Sequence, residues 1–147
     1  MSEIQTSRYE RGITRLTEVV GGAGLQVIDA LRQIAPDMAR YTIEFSYGDL
    51  YGRRALDDRS RQIAAVAALA ALGHCRPQLK VHINGALNVG CTPAEIVEVI
   101  LQMVLYAGFA VATNAMLAAH EVFEERGCLA ALQTTASSAG AETLSPA

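Results

Sequence analysis

Apolar or ring-bearing side chains at Tyr9, Ile13, Leu16, Val19 and Val20 alternate with Arg8, Glu10, Arg11 and Arg15 in the period of an amphipathic helix, predicted over Arg8 to Val20. Gly21-Gly22-Ala23-Gly24 reads as its end. The period resumes through Leu25, Ile28, Leu31 and Ile34, and a third helix is expected from Pro36, at an N1 position, through Met38, Tyr41 and Ile43 to Phe45. Tyr47-Gly48-Asp49-Leu50-Tyr51-Gly52-Arg53-Arg54 then reads as a glycine-broken connector.

Asp57 or Asp58 can cap a helix from Arg59 to Leu72, ended by Gly73. This helix has no charge after Gln62, which predicts burial nearly all round. Thr92-Pro93-Ala94-Glu95 has the form of a capping box with proline at N1, and the long apolar span that follows is expected to break near Gly108 and resume to about Arg126. No strand alternation and no internal repeat emerge. The expected fold is all-α, a single helical domain over residues 1–128 with a disordered tail over 129–147, where the chain becomes small, polar and aperiodic. Helices so poor in charge predict apolar faces covered by other copies, hence a homo-oligomer.

Composition narrows the class of partner. The 147 residues are 51% hydrophobic but only 5% aromatic, with no tryptophan, which suits closely packed helices built from aliphatic side chains. With a net charge of −3 and no basic run interleaved with aromatics, nucleic acid is discounted as a partner. The first residues, Met1-Ser2-Glu3-Ile4-Gln5, lack the basic and apolar regions of a signal peptide, and no uninterrupted membrane span is seen, so a soluble cytoplasmic protein is expected. Cys75, Cys91 and Cys128 are odd in number and widely spaced, which speaks against a disulfide framework, and their spacing to histidine does not make a metal site.

Candidate chemistry concentrates between Gly73 and Leu87, which hold two of the three histidines and one of the three cysteines. On a helix from about Pro77, Gln78 and His82 stand at i,i+4 on one face. Cys75 lies seven residues before His82, so a continued helix stacks all three as one polar stripe.

The runs Gly48-Asp49-Leu50-Tyr51, Leu56-Asp57, Arg59-Ser60-Arg61-Gln62, Pro77 through Gly90 with His82-Ile83-Asn84-Gly85-Ala86-Leu87-Asn88 at its centre, Glu95-Ile96-Val97-Glu98-Val99 and Tyr106-Ala107-Gly108-Phe109 together resemble the carboxymuconolactone decarboxylase family, over about residues 8 to 127. The resemblance implies an all-α bundle assembled into trimers or hexamers. It also implies cofactor-free decarboxylation of a small carboxylated lactone, such as 4-carboxymuconolactone, in aromatic catabolism. Loss of CO2 from the ring carbon drives electrons through the ring alkene into the lactone carbonyl, so a protein need only stabilise an oxyanion and deliver a proton to carbon.

By this resemblance His82 is the proton donor, with Gln62 and Tyr106 as neutral hydrogen-bonding groups near the lactone carbonyl. An arginine among Arg53, Arg54 and Arg61 is expected to hold the substrate carboxylate, and Gln78 and Cys75 to line the site. The sequence departs from the family at Gln62, where glutamate is usual and where only a neutral role is left. It departs again from the related alkylhydroperoxidase D-type pattern, Cys-x-x-Cys-x-x-x-His, because Gln78 stands where the thiol one turn before His82 belongs. Thiol peroxidase or disulfide reductase chemistry through Cys75 is therefore disfavoured. Two other readings stay open: a repurposed relative that isomerises or cleaves a different small metabolite, and a non-catalytic small-molecule-binding oligomer.

Overall fold

The computed structural model describes residues 6–133, and among these every regular element is helical. In chain order they are α1 (Arg8–Val19), α2 (Gly21–Ile34), α3 (Pro36–Tyr41), a π-helix (Thr42–Leu50), α4 (Asp58–Leu72), α5 (Arg76–Asn88), α6 (Pro93–Gln102), α7 (Val104–Ala107) and α8 (Phe109–Glu125).

Local capping chemistry sets several of these ends. Asp57 accepts from the Ser60 amide at 2.7 Å and starts α4. Thr92 and Glu95 make the reciprocal pair of a capping box at the head of α6, at 2.8 and 3.2 Å. The expected break falls at Gly108, which separates α7 from α8.

Three expectations are corrected by the structure. The glycine run does not end α1; it is the first turn of α2, where a Cβ on Gly24 would sit 2.3 Å from Val20 Cγ2. Tyr47 through Leu50 are not connector but the last turn of the π-helix. Helix α4 is not buried all round: Gln62, Val66 and Ala70 form one buried stripe, while Ala64, Ala68 and Leu72 are exposed in the single chain.

At the C-terminal end, residues 130–133 form a helical turn, with Leu129 and Leu132 packed on the core, so helical structure extends past the expected boundary at 128. The rest of the expected tail, 134–147, lies outside the described residues.

The apolar side chains form two clusters. One joins Leu16, Val19 and Val20 of the first helix and its end to Ile28, Ala39, Ile43 and Tyr47. The other joins Val66, Leu79, Ile83, Ile96, Ile100, Val122 and Phe123, among others, from α4, α5, α6 and α8. Burial of aliphatic chains of this size contributes roughly 1.5–3 kcal/mol each before the entropy of ordering is subtracted. Helix α5 lies at the seam: Ile83 belongs to the second cluster, Val81 packs on the first, and His82 sits between them. The π-helix is pressed against α1 at Gly12, where a Cβ would lie 2.2 Å from the Ile43 carbonyl oxygen. Only glycine permits that approach, and it fixes the π-helix over the seam.

Candidate active site

Gln62 is the buried polar residue of the core, at 0% exposure, and the seam is built around it. Its Nε2 donates to the Tyr51 hydroxyl at 2.8 Å, and its Oε1 lies 3.0 Å from Nδ1 of His82. An amide whose nitrogen is already donating presents its oxygen to the imidazole, so the network assigns the proton of neutral His82 to Nδ1 and leaves Nε2 as an acceptor. Desolvation by burial holds the His82 pKa below its ordinary value, which favours that neutral form. Gly85, one turn beyond His82, makes the arrangement sterically feasible: a Cβ there would come within 2.7 Å of Gln62 Oε1 and 2.9 Å of Val20 Cγ1.

His82 lines a cavity of about 120 Å³ with Leu16, Gly24, Val27, Ile28, Thr42, Tyr47, Gln78 and Val81. The walls come from α1, α2, the π-helix and α5, so the cavity joins the apolar first cluster to the polar chain through Gln62. Tyr47 and Tyr51 stack beside it with ring centroids 4.9 Å apart. Burial raises the pKa of both phenols, and Gln62 partly offsets the rise at Tyr51.

The residues singled out from the sequence divide accordingly. His82 and Gln62 are hydrogen-bonded to each other, and Gln78 shares the cavity with His82 as the i,i+4 spacing predicts. Cys75 leaves the stripe, because α5 begins at Arg76 and Cys75 is its N-cap residue with φ −104° and ψ 40°. It lines a separate cavity of about 210 Å³ with Leu69, Arg76, Leu79, Val111 and Asn114, among others.

Tyr106 on α7 is 73% exposed and does not line the His82 cavity. Of the three arginines, Arg61 reaches the network: its guanidinium lies 5.6 Å from the Tyr51 ring centroid and donates to the Arg53 carbonyl at 3.0 Å. Arg53 lies in an open groove with Arg11, Arg15 and Asp49, and Arg54 is exposed. No arginine or lysine is among the residues that line the His82 cavity.

Sequence reasoning missed Tyr51 and Tyr47 as site residues. Tyr51 carried a signal, its place in the Gly48-Asp49-Leu50-Tyr51 run. Tyr47 carried none, since its approach to the cavity depends on the π-helix.

The site can relay hydrogen bonding from Tyr51 through Gln62 to His82, and can present an imidazole to a small molecule against apolar walls. Among the described residues no three of His, Cys, Asp or Glu come together at metal-binding range, and no helix is long and apolar enough to cross a membrane.

Residues 36–121, which include the π-helix, Tyr51, Gln62 and His82, match the carboxymuconolactone decarboxylase family. Over 121 residues the chain is 32% identical to a 4-carboxymuconolactone decarboxylase of Acinetobacter baylyi, covering 82% of this chain and 90% of that protein. It is 29% identical over 97 residues to an uncharacterized protein of Paracoccus denitrificans, covering 65% of this chain and 72% of that one. It is also 31% identical over 94 residues to peroxisomal protein 2 of Saccharomyces cerevisiae, which spans 62% of this chain and 32% of that protein. The family match over more than half the chain and the near full-length likeness to the Acinetobacter protein agree: the chain belongs to the carboxymuconolactone decarboxylase family.

Proposed function

We propose that the protein is a cofactor-independent lyase that removes CO2 from a small carboxylated lactone of the 4-carboxymuconolactone type, with His82 as the acid that returns a proton to carbon. The observation that supports this most directly is the hydrogen bond between His82 Nδ1 and Gln62 Oε1, which orients the imidazole at a mostly apolar cavity. In the reaction the bond from the ring carbon to the carboxylate breaks. Its electron pair moves through the ring alkene onto the lactone oxygen, and a proton then adds to carbon as the carbonyl re-forms. One solvent proton is consumed per turnover: Nε2 of His82, the acceptor in the neutral ring, takes it up and then passes it to carbon.

Apolar walls with no cation favour this step, because a carboxylate in such a cavity loses much of its hydration and regains nothing from a guanidinium. The lack of a lining cation also supports a second reading, proton transfer on an uncharged enolisable lactone by the same imidazole. The exposed apolar side chains Leu101, Leu105, Phe109 and Leu117 on α6, α7 and α8 support self-association, in trimers or hexamers as the family resemblance implies. Cytoplasmic location and a place in aromatic catabolism complete the reading.

The test is incubation with 4-carboxymuconolactone in D2O. The expected result is CO2 release matched by one deuterium on a product ring carbon. Isotope exchange into recovered substrate without CO2 selects the second reading, and neither product nor exchange overturns both.

A further inference from the structure

Tyr47 is 6% exposed and lines the His82 cavity, yet its hydroxyl makes no hydrogen bond among the described residues, and its ring stacks on Tyr51. Among the described residues the fully buried side-chain atom without a partner is Arg61 Nε, so the unpartnered Tyr47 hydroxyl retains some accessible surface. The other polar side chains of the cavity are accounted for: the Thr42 hydroxyl donates to the Met38 carbonyl at 2.9 Å, His82 Nδ1 is committed to Gln62, and Gln78 lies exposed at the rim. Tyr47 is thus a cavity-lining donor whose hydroxyl is unpartnered among the described residues and keeps enough open surface to meet a ligand.

We propose that the Tyr47 hydroxyl is the oxyanion donor of this site, hydrogen-bonding the lactone oxygen that gains charge as CO2 leaves. The charge itself rests on the lyase reading above. The role is the one suggested above for Tyr106, which does not line this cavity in the single chain.

Two further features fit it. Burial raises the Tyr47 pKa well above the ordinary phenol value, so the group stays protonated and remains a donor at any working pH. Tyr47 also sits in a nine-residue π-helix, a conformation that recurs at functional sites because its wider turn re-aims side chains. A neutral donor that is already desolvated and fixed by a stacked ring needs little reorganisation when charge develops opposite it.

The test uses tetronate, a five-membered lactone that is an enolate anion near neutral pH, with neutral γ-butyrolactone as its uncharged counterpart. Titration calorimetry on the full chain is expected to show tetronate affinity reduced about 10- to 100-fold in Tyr47→Phe, γ-butyrolactone affinity unchanged, and no effect of Tyr41→Phe on either. Turnover of 4-carboxymuconolactone should fall about 10²- to 10³-fold in Tyr47→Phe, the usual loss for an oxyanion donor. The Tm should stay about equal, because the hydroxyl removed has no partner among the described residues. Tyr47→Met, which also lacks the hydroxyl, serves if the Phe variant does not fold. Equal tetronate affinity in wild type and variant, or no binding by wild type, overturns the assignment. Tetronate binding that depends on Tyr47, with no CO2 released from 4-carboxymuconolactone, leaves the oxyanion site standing and removes the decarboxylase reading instead.

Discussion

Nδ1 of His82 and Oε1 of Gln62 lie 3.0 Å apart across the seam between α5 and α4. The contact fixes which ring nitrogen is left for chemistry, because the amide nitrogen of Gln62 is already committed to Tyr51. Under the lyase reading, removing the imidazole removes the proton donor. His82→Ala is expected to lower turnover on the cognate lactone by about 10²- to 10⁴-fold, the range for loss of a general acid or base. Steady-state assay of CO2 release checks this, and turnover within threefold of wild type ends the role assigned to His82.

The same contact makes a prediction about Gln62. A carboxylate 3.0 Å from the ring favours imidazolium, whereas the amide does not. Because burial lowers the His82 pKa, kcat/KM for a reaction that needs the protonated ring should fall as pH rises, with its midpoint below 6.5, the ordinary imidazole value. Gln62→Glu restores the residue usual in the family and should move that midpoint upward. A pH profile that is unchanged in the variant would falsify the coupling between Gln62 and His82.

Stability should carry the signature of His82 as well. The unfolded chain binds the imidazole proton near pH 6.5, while the folded chain, in which desolvation lowers the pKa, binds it only at lower pH. Between those two points the unfolded state holds more protons, so this contribution to stability is complete above pH 6.5 and is lost as pH falls below it. Asp49, Glu95 and Glu121, whose pKa values are lowered by their arginine, lysine or backbone partners, lose their contributions at more acid pH still. Denaturant melts at pH 7.5 and 5.5 should show a decrease in wild type that is smaller in His82→Gln. Equal decreases in both proteins rule out His82 as its source.

The parts of this site that were legible in the sequence are those set by local rules. The spacing of Gln78 and His82 placed both on one cavity, and the caps at Asp57 and Thr92 marked the starts of α4, which carries Gln62, and of α6. Cys75 leaves the stripe because the stripe assumes helix across Arg76-Pro77, whereas Cys75 is the N-cap of α5 and lines a separate cavity among α4, α5 and α8. The glycines at 21–24 read as a breaker by propensity, but Gly24 is there for close packing on Val20. Tyr47 was beyond reach, since nothing in the pattern distinguishes a π-helix from an α-helix, and a difference of one residue per bond moves a side chain to another face. The burial of Gln62 between Tyr51 and His82 joins residues 11 and 20 positions away, so no helical period could announce it.

Gly85 offers a separate test of the geometry. In an unconstrained helix Ala is favoured over Gly by about 1 kcal/mol. Here the added Cβ would lie 2.7 Å from Gln62 Oε1 and 2.9 Å from Val20 Cγ1, and Gln62 has no exposed surface into which to retreat. Overpacking of this kind costs about 1–3 kcal/mol and is set against that propensity gain. Gly85→Ala is therefore expected to be neutral to destabilising by about 2 kcal/mol, a fall in Tm of up to roughly 8 °C. Its effect on turnover should be larger than its effect on folding, because the displaced amide is the one that orients His82. A calorimetric melt paired with kcat separates the two, and a more stable variant with full activity would show that Gln62 does not need the space that glycine leaves.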